Sequence, residues 1–115
     1  MPRREWELRI KDILVAISAV QAYTEGMKYE AFVTDRRTVD AVIRNLIVIG
    51  EAASNLPDNF VRAHPDIPWR DMADMRNFVV HEYFGVSDKI IWDTVQKDLP
   101  PLIPVLEGLL RSKAP

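Results

Sequence analysis

The segment from Arg76 to Tyr83 carries the side chains of this sequence that are best suited to chemistry. It reads Arg-Asn-Phe-Val-Val-His-Glu-Tyr, and so combines a permanent cation, an amide, one of two histidines and a phenol. A guanidinium is well shaped to bind a phosphate, and an imidazole can transfer a proton near neutral pH. The surrounding pattern is apolar, where polar groups cost free energy unless they have partners. This combination suggests chemistry on a phosphodiester.

Helical geometry determines which of these side chains can meet. Residues seven apart return to nearly the same angle on an α-helix, so Arg76 and Tyr83 share a face. Asn77 and His81 are four apart and share a second face, offset by roughly 100° from Arg76. Because the arginine side chain is long, we expect all four groups to cluster at the C-terminal end of one helix. A helix C-terminus also favours a protonated imidazole.

Each of these residues also has a purely structural interpretation. Arg76 could form a salt bridge with one of three nearby carboxylates, Asp71, Asp74 or Glu82. His81 could be a satisfied interior histidine, and Tyr83 could be a core aromatic residue. An arginine and a histidine five apart occur by chance in many chains, so this spacing alone is weak evidence. The other histidine, His64, lies beside a proline and is interpreted as a surface residue.

Length and charge limit the possible classes of protein. A chain of 115 residues forms one domain, and chains this short often gain stability by pairing with a second copy. The net charge of −2 and the pI near 5.6 argue against non-specific binding of nucleic acid through a basic excess. Seven basic residues could still form a local cationic patch, although a solvated helix face is the preferred interpretation for most of them: Arg3, Arg4, Arg9, Lys11, Arg36, Arg37 and Arg44.

Several kinds of site are absent from the sequence. It has no cysteine, no His-x3-His pair, no glycine-rich phosphate loop and no recognisable serine nucleophile motif. We therefore expect no metal and no cofactor. The longest apolar runs are much shorter than a membrane span, and the N-terminus lacks the apolar core of a signal peptide. These features predict a cytoplasmic protein with no membrane partner.

Apolar residues recur at steps of three and four along nearly the whole chain, which predicts an all-α fold. A first helix is expected from Arg3 to Glu25, followed by a connection from Met27 to Val33. Tyr29 and Phe32 are expected to turn inward from that connection. A second helix, capped by Thr34 or Asp35, should run to Asn55. Its apolar positions cover more than one face, which indicates a central helix or an oligomer contact.

The second half of the chain is divided by prolines and glycines. A turn at Pro57 precedes one short helical piece that ends near His64. Pro68 can open a third helix that reaches Glu82, with a C-terminal cap expected at Gly85. A fourth helix should begin at Ser87 or Asp88, bend at Pro100 and Pro101, and continue through Leu110. No period-two strand pattern is present, so the prediction is a compact bundle of four or five helices.

The motif of arginine, a polar residue, three further residues, histidine, one residue and tyrosine resembles the signature of the HEPN superfamily. Within it, the sequence is similar to the HepT-like ribonuclease toxins, whose partners are minimal nucleotidyltransferase antitoxins. The similarity extends to segments on both sides of the motif: Arg36 to Leu56, Trp69 to Met72, Trp92 to Val95 and Asp98 to Pro100.

This resemblance implies a single HEPN-like helical domain over residues 1–115, assembled as a homodimer. It makes Arg76 and His81 catalytic, Asn77 a supporting polar residue, and Tyr83 the site at which the partner nucleotidyltransferase adds AMP. The implied activity is that of an endoribonuclease toxin acting on RNA. It needs no metal, because two chains bring two histidines and two arginines to one cleft.

Two alternatives stay open at this point. One is a non-catalytic helical dimer that binds a nucleotidyltransferase partner and holds a nucleotide or RNA without cutting it, which the acidic pI favours. The other is a purely structural dimer.

Overall fold

A computed structural model describes residues 3–82 and 88–112 of the chain, with side chains described for residues 5–76 and 88–112. Within these ranges lie seven α-helices: α1 Arg3–Thr24, α2 Tyr29–Thr34, α3 Arg36–Ser54, α4 Asp58–Ala63, α5 Trp69–Glu82, α6 Asp88–Asp93 and α7 Leu102–Arg111. A π-helical turn, Thr94–Asp98, joins α6 to α7. No strand occurs in the described ranges, so the all-α prediction is confirmed. The helices outnumber the expected four or five because three of them are only six residues long.

Helix α3 is the central element of the fold. It packs against α1 on one side and α5 on the other, and its side chains Val39, Val42 and Ile49 are fully buried. Helix α1 contributes a matching apolar stripe that is also fully buried: Ile10, Ile13, Ile17 and Val20. Such burial is the main driving force for folding. The prediction that the second long helix, α3, is central is therefore confirmed.

The expected connection between the first two long helices is in fact the short helix α2, so that prediction was wrong. Gly26, at φ 77°, ends α1 in a left-handed conformation that suits glycine. Phe32 is fully buried, and its ring centroid lies 5.1 Å from that of Trp92. An isolated helix of six residues is unstable in water, so tertiary packing around Phe32 stabilises α2. The prediction that the Phe32 side chain turns inward is confirmed.

Asp35 is the N-cap of α3. Its carboxylate accepts hydrogen bonds from the Thr38 backbone N–H at 3.1 Å and from the Thr38 hydroxyl at 2.8 Å. The hydroxyl bond, followed by the backbone bond, lowers the pKa of Asp35 below its usual value. A side-chain cap of this kind satisfies amide groups that lack an intrahelical acceptor. Of the two predicted caps, the structure selects Asp35.

The C-terminal segment bends where the prolines predicted it would. The Leu99 N–H donates to the Thr94 carbonyl at 3.1 Å, which closes the π-helical turn just before Pro100 and Pro101. Helix α7 then begins at Leu102 and buries Leu106 in the core. The predicted boundary residues Gly85 and Ser87 lie outside the described residues. In the described part of the chain, no helix has the length and apolar character needed to cross a membrane.

Candidate active site

Helix α5 is anchored at its first residue. The Trp69 side chain is buried, and its indole N–H donates to the His64 carbonyl at 3.0 Å. One turn later, Met72 is fully buried in the core. These anchors fix the start of α5 and place Arg76, one turn beyond Met72, at the protein surface next to α3.

Helices α3 and α5 lie in close contact at Gly50. A Cβ atom added there would lie 2.6 Å from both the Cβ and the backbone nitrogen of Arg76, and 3.0 Å from the Ala73 carbonyl oxygen. Distances below 3.0 Å essentially never occur for a real Cβ, so a larger residue would push the two helices apart. Glycine in a helix interior normally costs about 1 kcal/mol relative to alanine. Here its small size sets the position of the Arg76 backbone.

The Arg76 side chain forms an ion pair with Glu51, the residue after Gly50. Its Nη1 donates to both carboxylate oxygens, at 2.7 and 3.0 Å. The two side chains are 38% and 48% exposed, so the pair lies at the surface within reach of solvent. The guanidinium is therefore held in place by a neighbouring helix while it remains accessible to a ligand.

Sequence reasoning missed Glu51. The carboxylates considered as partners for Arg76 lay on its own helix, whereas the structure supplies this partner from α3. A signal was present in the sequence: Gly50 stands in the interior of an otherwise strong helical pattern, where glycine indicates close approach of another backbone. The residue beside such a crossing is well placed to contact the crossing helix.

The other predicted site residues are only partly located. Asn77 and His81 lie in the C-terminal half of α5, on the same helix as Arg76, as predicted. Their side chains are outside the described set, and Tyr83 is outside the described residues altogether. Their roles stay predictions. His64, expected at the surface, is half-buried, with its ring centroid 4.7 Å from that of Phe60.

Two of the seven basic residues of the predicted cationic patch form ion pairs with carboxylates among the described side chains. Arg36 pairs with Asp88 at 3.1 Å, and Arg9 lies 4.0 Å from Glu5. Arg44 is exposed on the same face of α3 as Glu51, seven positions earlier, beside a shallow pocket of about 310 Å³. For Arg9 and Arg36, the interpretation as solvated and paired surface residues fits this arrangement.

A larger open groove of about 600 Å³ lies along a different face of α5. It is formed with α3, α6, the π-helical turn and α7, and its apolar lining includes Met72, Met75 and Val105. Its charged lining residues are three aspartates and one lysine: Asp71, Asp74, Asp98 and Lys97. An acidic excess repels phosphate, so this groove is a poor site for RNA. Within the described residues, no group of three or more histidine, aspartate or glutamate side chains could hold a metal.

Comparison with known proteins gives a consistent result. A family model described as "Ribonuclease HepT-like" matches residues 13–109. A protein named "Probable ribonuclease HepT" from Thermococcus cleftensis is 46% identical over 100 residues, covering 87% of this chain and 91% of the relative. A protein named "Putative RNase" from Methanocaldococcus jannaschii is 38% identical over 112 residues, covering 97% and 93%. No solved structure matches significantly. The chain therefore belongs to the HepT-like ribonuclease family.

Proposed function

We propose that this protein is a metal-independent endoribonuclease with a composite Arg76 and His81 site in the cleft of a homodimer. The observation that carries the proposal is the placement of Arg76. Its guanidinium is fixed at the surface by the α3–α5 crossing, and it lies on the same helix as His81, in a chain of the HepT-like ribonuclease family.

The proposed reaction uses the RNA's own 2′-hydroxyl as the nucleophile. The hydroxyl oxygen attacks the adjacent phosphorus in line with the 5′-oxygen of the next nucleotide, which leaves with a proton. One imidazole accepts the proton of the 2′-hydroxyl and another donates a proton to the leaving oxygen. Arg76 binds the phosphate oxygens as charge develops on them, and Asn77 orients either the imidazole or the substrate. The products are a 2′,3′-cyclic phosphate and a 5′-hydroxyl.

This chemistry gives a reason for a dimer. Acid and base are two roles, and each chain carries one histidine in the motif and a second, half-buried one beside Phe60. A two-fold axis brings two copies of His81 and two of Arg76 to a single cleft. The face of α3 next to the site supports association, since the half-buried apolar residues Ile47 and Val48 line its shallow pocket.

Cleavage assays on purified protein test the proposal. We expect cleavage of single-stranded RNA in the presence of EDTA, and its loss in Arg76→Ala. Arg62→Ala is the matched control, because Arg62 is an exposed arginine on α4, away from the site. Sedimentation velocity should give the mass of a dimer. A monomeric protein, or equal cleavage by Arg76→Ala and wild type, would contradict the composite site.

We further propose that the protein acts in the cytoplasm as the toxin of a pair, and that a nucleotidyltransferase antitoxin neutralises it by adding AMP to Tyr83. An adenylyl group adds bulk and a negative charge, which would compete with an RNA phosphate for Arg76. Mass spectrometry after co-expression with a nucleotidyltransferase should show one AMP per chain in wild type and none in Tyr83→Phe. Neutralisation without any modification of Tyr83 would exclude this form of control.

A second candidate function is a non-catalytic dimer that binds a nucleotidyltransferase partner and a nucleotide or RNA. The net charge of −2 favours this candidate, because the chain has no general basic excess with which to attract an RNA substrate. The two functions are separated by fluorescence anisotropy with labelled RNA beside the cleavage assay. Binding that depends on Arg76 but produces no cut strands would support the binding module.

A further inference from the structure

We propose that Glu51 is a positioning residue, which holds the guanidinium of Arg76 in the orientation that phosphate binding requires. The proposal rests on the ribonuclease function above and adds a residue from α3 to the site. Glu51 contacts Arg76 and not the reacting atoms, so its role is to orient rather than to take part in proton transfer.

The backbone geometry makes this contact stiff. Because a Cβ at position 50 would lie 2.6 Å from Arg76, the two helices touch at Gly50 and cannot slide closer. Glu51 follows Gly50 directly, so its Cα is fixed relative to that of Arg76. Around it, α3 is embedded in the core through Ile49, which is fully buried, and Ala52 and Ala53, which are each 5% exposed. The carboxylate therefore projects from a rigid support.

Arginine needs such a support. Its side chain has many rotamers, and the freedom lost on fixing it opposes every contact that it makes with a substrate. An arginine that is already held in place avoids part of this cost when charge develops on the phosphate oxygens in the transition state. The two hydrogen bonds to Glu51, at 2.7 and 3.0 Å, restrict Arg76 in this way.

Stability of the fold does not account for the pair. With side chains 38% and 48% exposed, it is a surface ion pair, and such pairs contribute little to the free energy of unfolding. Its location at the predicted catalytic arginine therefore points to a role in the site.

An alternative role for Glu51 is that of an inhibitory latch, which RNA would have to displace. The structure favours positioning, because the buried residues Ile49, Ala52 and Ala53 on either side of Glu51 hold its backbone in the core. Both oxygens of the Glu51 carboxylate accept from the same guanidinium nitrogen, Nη1, so the contact fixes one end of the guanidinium. The two roles predict opposite effects of removing Glu51.

Steady-state cleavage kinetics separate these roles. Glu51→Ala should lower kcat by about tenfold to a hundredfold, the size expected for a misplaced catalytic group, with little change in KM. Glu51→Gln should recover part of the loss, because its amide oxygen still accepts a hydrogen bond from Nη1. Asp88→Ala, which removes the ion pair between α6 and Arg36 at the start of α3, should cleave RNA at the wild-type rate. An unchanged kcat, or a gain in RNA affinity or rate in Glu51→Ala, would overturn the proposal.

A second measurement does not depend on activity. The order parameter of the Arg76 side-chain Nε–H, measured by ¹⁵N NMR, should be high in wild type and fall in Glu51→Ala, with Arg36 as the internal reference. An Arg76 signal that is equally ordered in both proteins would overturn the positioning role, whatever the kinetics show. If the signal loses order but wild type cuts no RNA, the ribonuclease function fails while the orienting contact stands. Thermal unfolding of each variant confirms that it is folded.

Discussion

The two faces of α5 are built in different ways. Toward α3 the helix is in direct backbone contact at Gly50, and an ion pair joins Arg76 to Glu51. Toward α6 and α7 it lines an open groove of about 600 Å³ with an apolar floor and an acidic edge. Arg76, the predicted catalytic residue whose side chain the structure describes, lies on the close-packed face and does not line the open groove. Close packing can hold a catalytic arginine in place, whereas an open groove gives space without orientation.

The largest effect expected from this comparison is the loss of His81. His81→Ala should reduce the cleavage rate by about 10²- to 10⁴-fold, the usual contribution of a general acid or base. The rate at saturating RNA, measured on denaturing gels, is the test. A matched control is His64→Ala, since His64 packs on Phe60 between α4 and α5 and has no proposed role in proton transfer. Loss of cleavage in His64→Ala, with His81→Ala still active, would reverse the assignment.

The next effect concerns the helix crossing itself. Gly50→Ala places a Cβ 2.6 Å from Arg76, so α3 and α5 must separate, and we expect a loss of about 1–3 kcal/mol in the free energy of unfolding. Gly108→Ala is the matched control on α7. Its added Cβ would have its nearest neighbour at 3.9 Å, so alanine should fit, and its higher helix propensity should leave stability unchanged or increased by up to about 1 kcal/mol.

Urea denaturation of the two variants measures this difference, because the midpoint and the slope of each transition together give the free energy of unfolding. The folded fraction of Gly50→Ala should also cleave RNA more slowly than wild type, since Arg76 moves with α5. Equal stability of the two glycine variants would show that the crossing is not tight. A destabilised Gly50→Ala with full activity per folded molecule would separate packing from the site.

The long helices could be predicted and the motif recognised because each is a pattern of residues close together in the sequence. Periodicity placed α1, α3 and α5 within one or two residues, and residue type limited the cap of α3 to Thr34 or Asp35, of which the structure has Asp35. Helix α2 was missed because its stability comes from Phe32 packing against the distant residue Trp92. Glu51 was missed for the same reason, as its contact with Arg76 joins residues far apart in the chain. The groove is equally non-local, since residues of five elements line it.

A smaller effect is expected at the N-cap of α3, the helix that supports the close-packed face. The pKa of Asp35 is lowered mainly by the Thr38 hydroxyl, so the folded state favours the charged carboxylate. This contribution to stability is present above the unfolded pKa, near the usual value of 3.8, and is lost as the pH falls through the lower folded pKa. Asp35→Ala should therefore be less stable than wild type at neutral pH, and the difference should shrink in acid.

Thermal unfolding of wild type and Asp35→Ala between pH 7 and pH 2 measures this trend. Asp66→Ala serves as the control, because Asp66 is an exposed aspartate in the turn between α4 and α5. A stability difference that stays constant from neutral pH into acid would show that the charge of Asp35 does not contribute, and that its loss acts through helix propensity alone.

The smallest effect is expected in the open groove, and it is the sharpest test of the comparison. Asp98→Asn removes one negative charge from the acidic edge and leaves the shape of the side chain nearly unchanged. If the groove has no part in cleavage, kcat should equal that of wild type, and stability should change by less than about 0.5 kcal/mol, as for most surface substitutions. A large fall in kcat in Asp98→Asn would move the chemistry to the open face of α5. It would also mean that the close contact at Gly50 supports the fold without supporting the site.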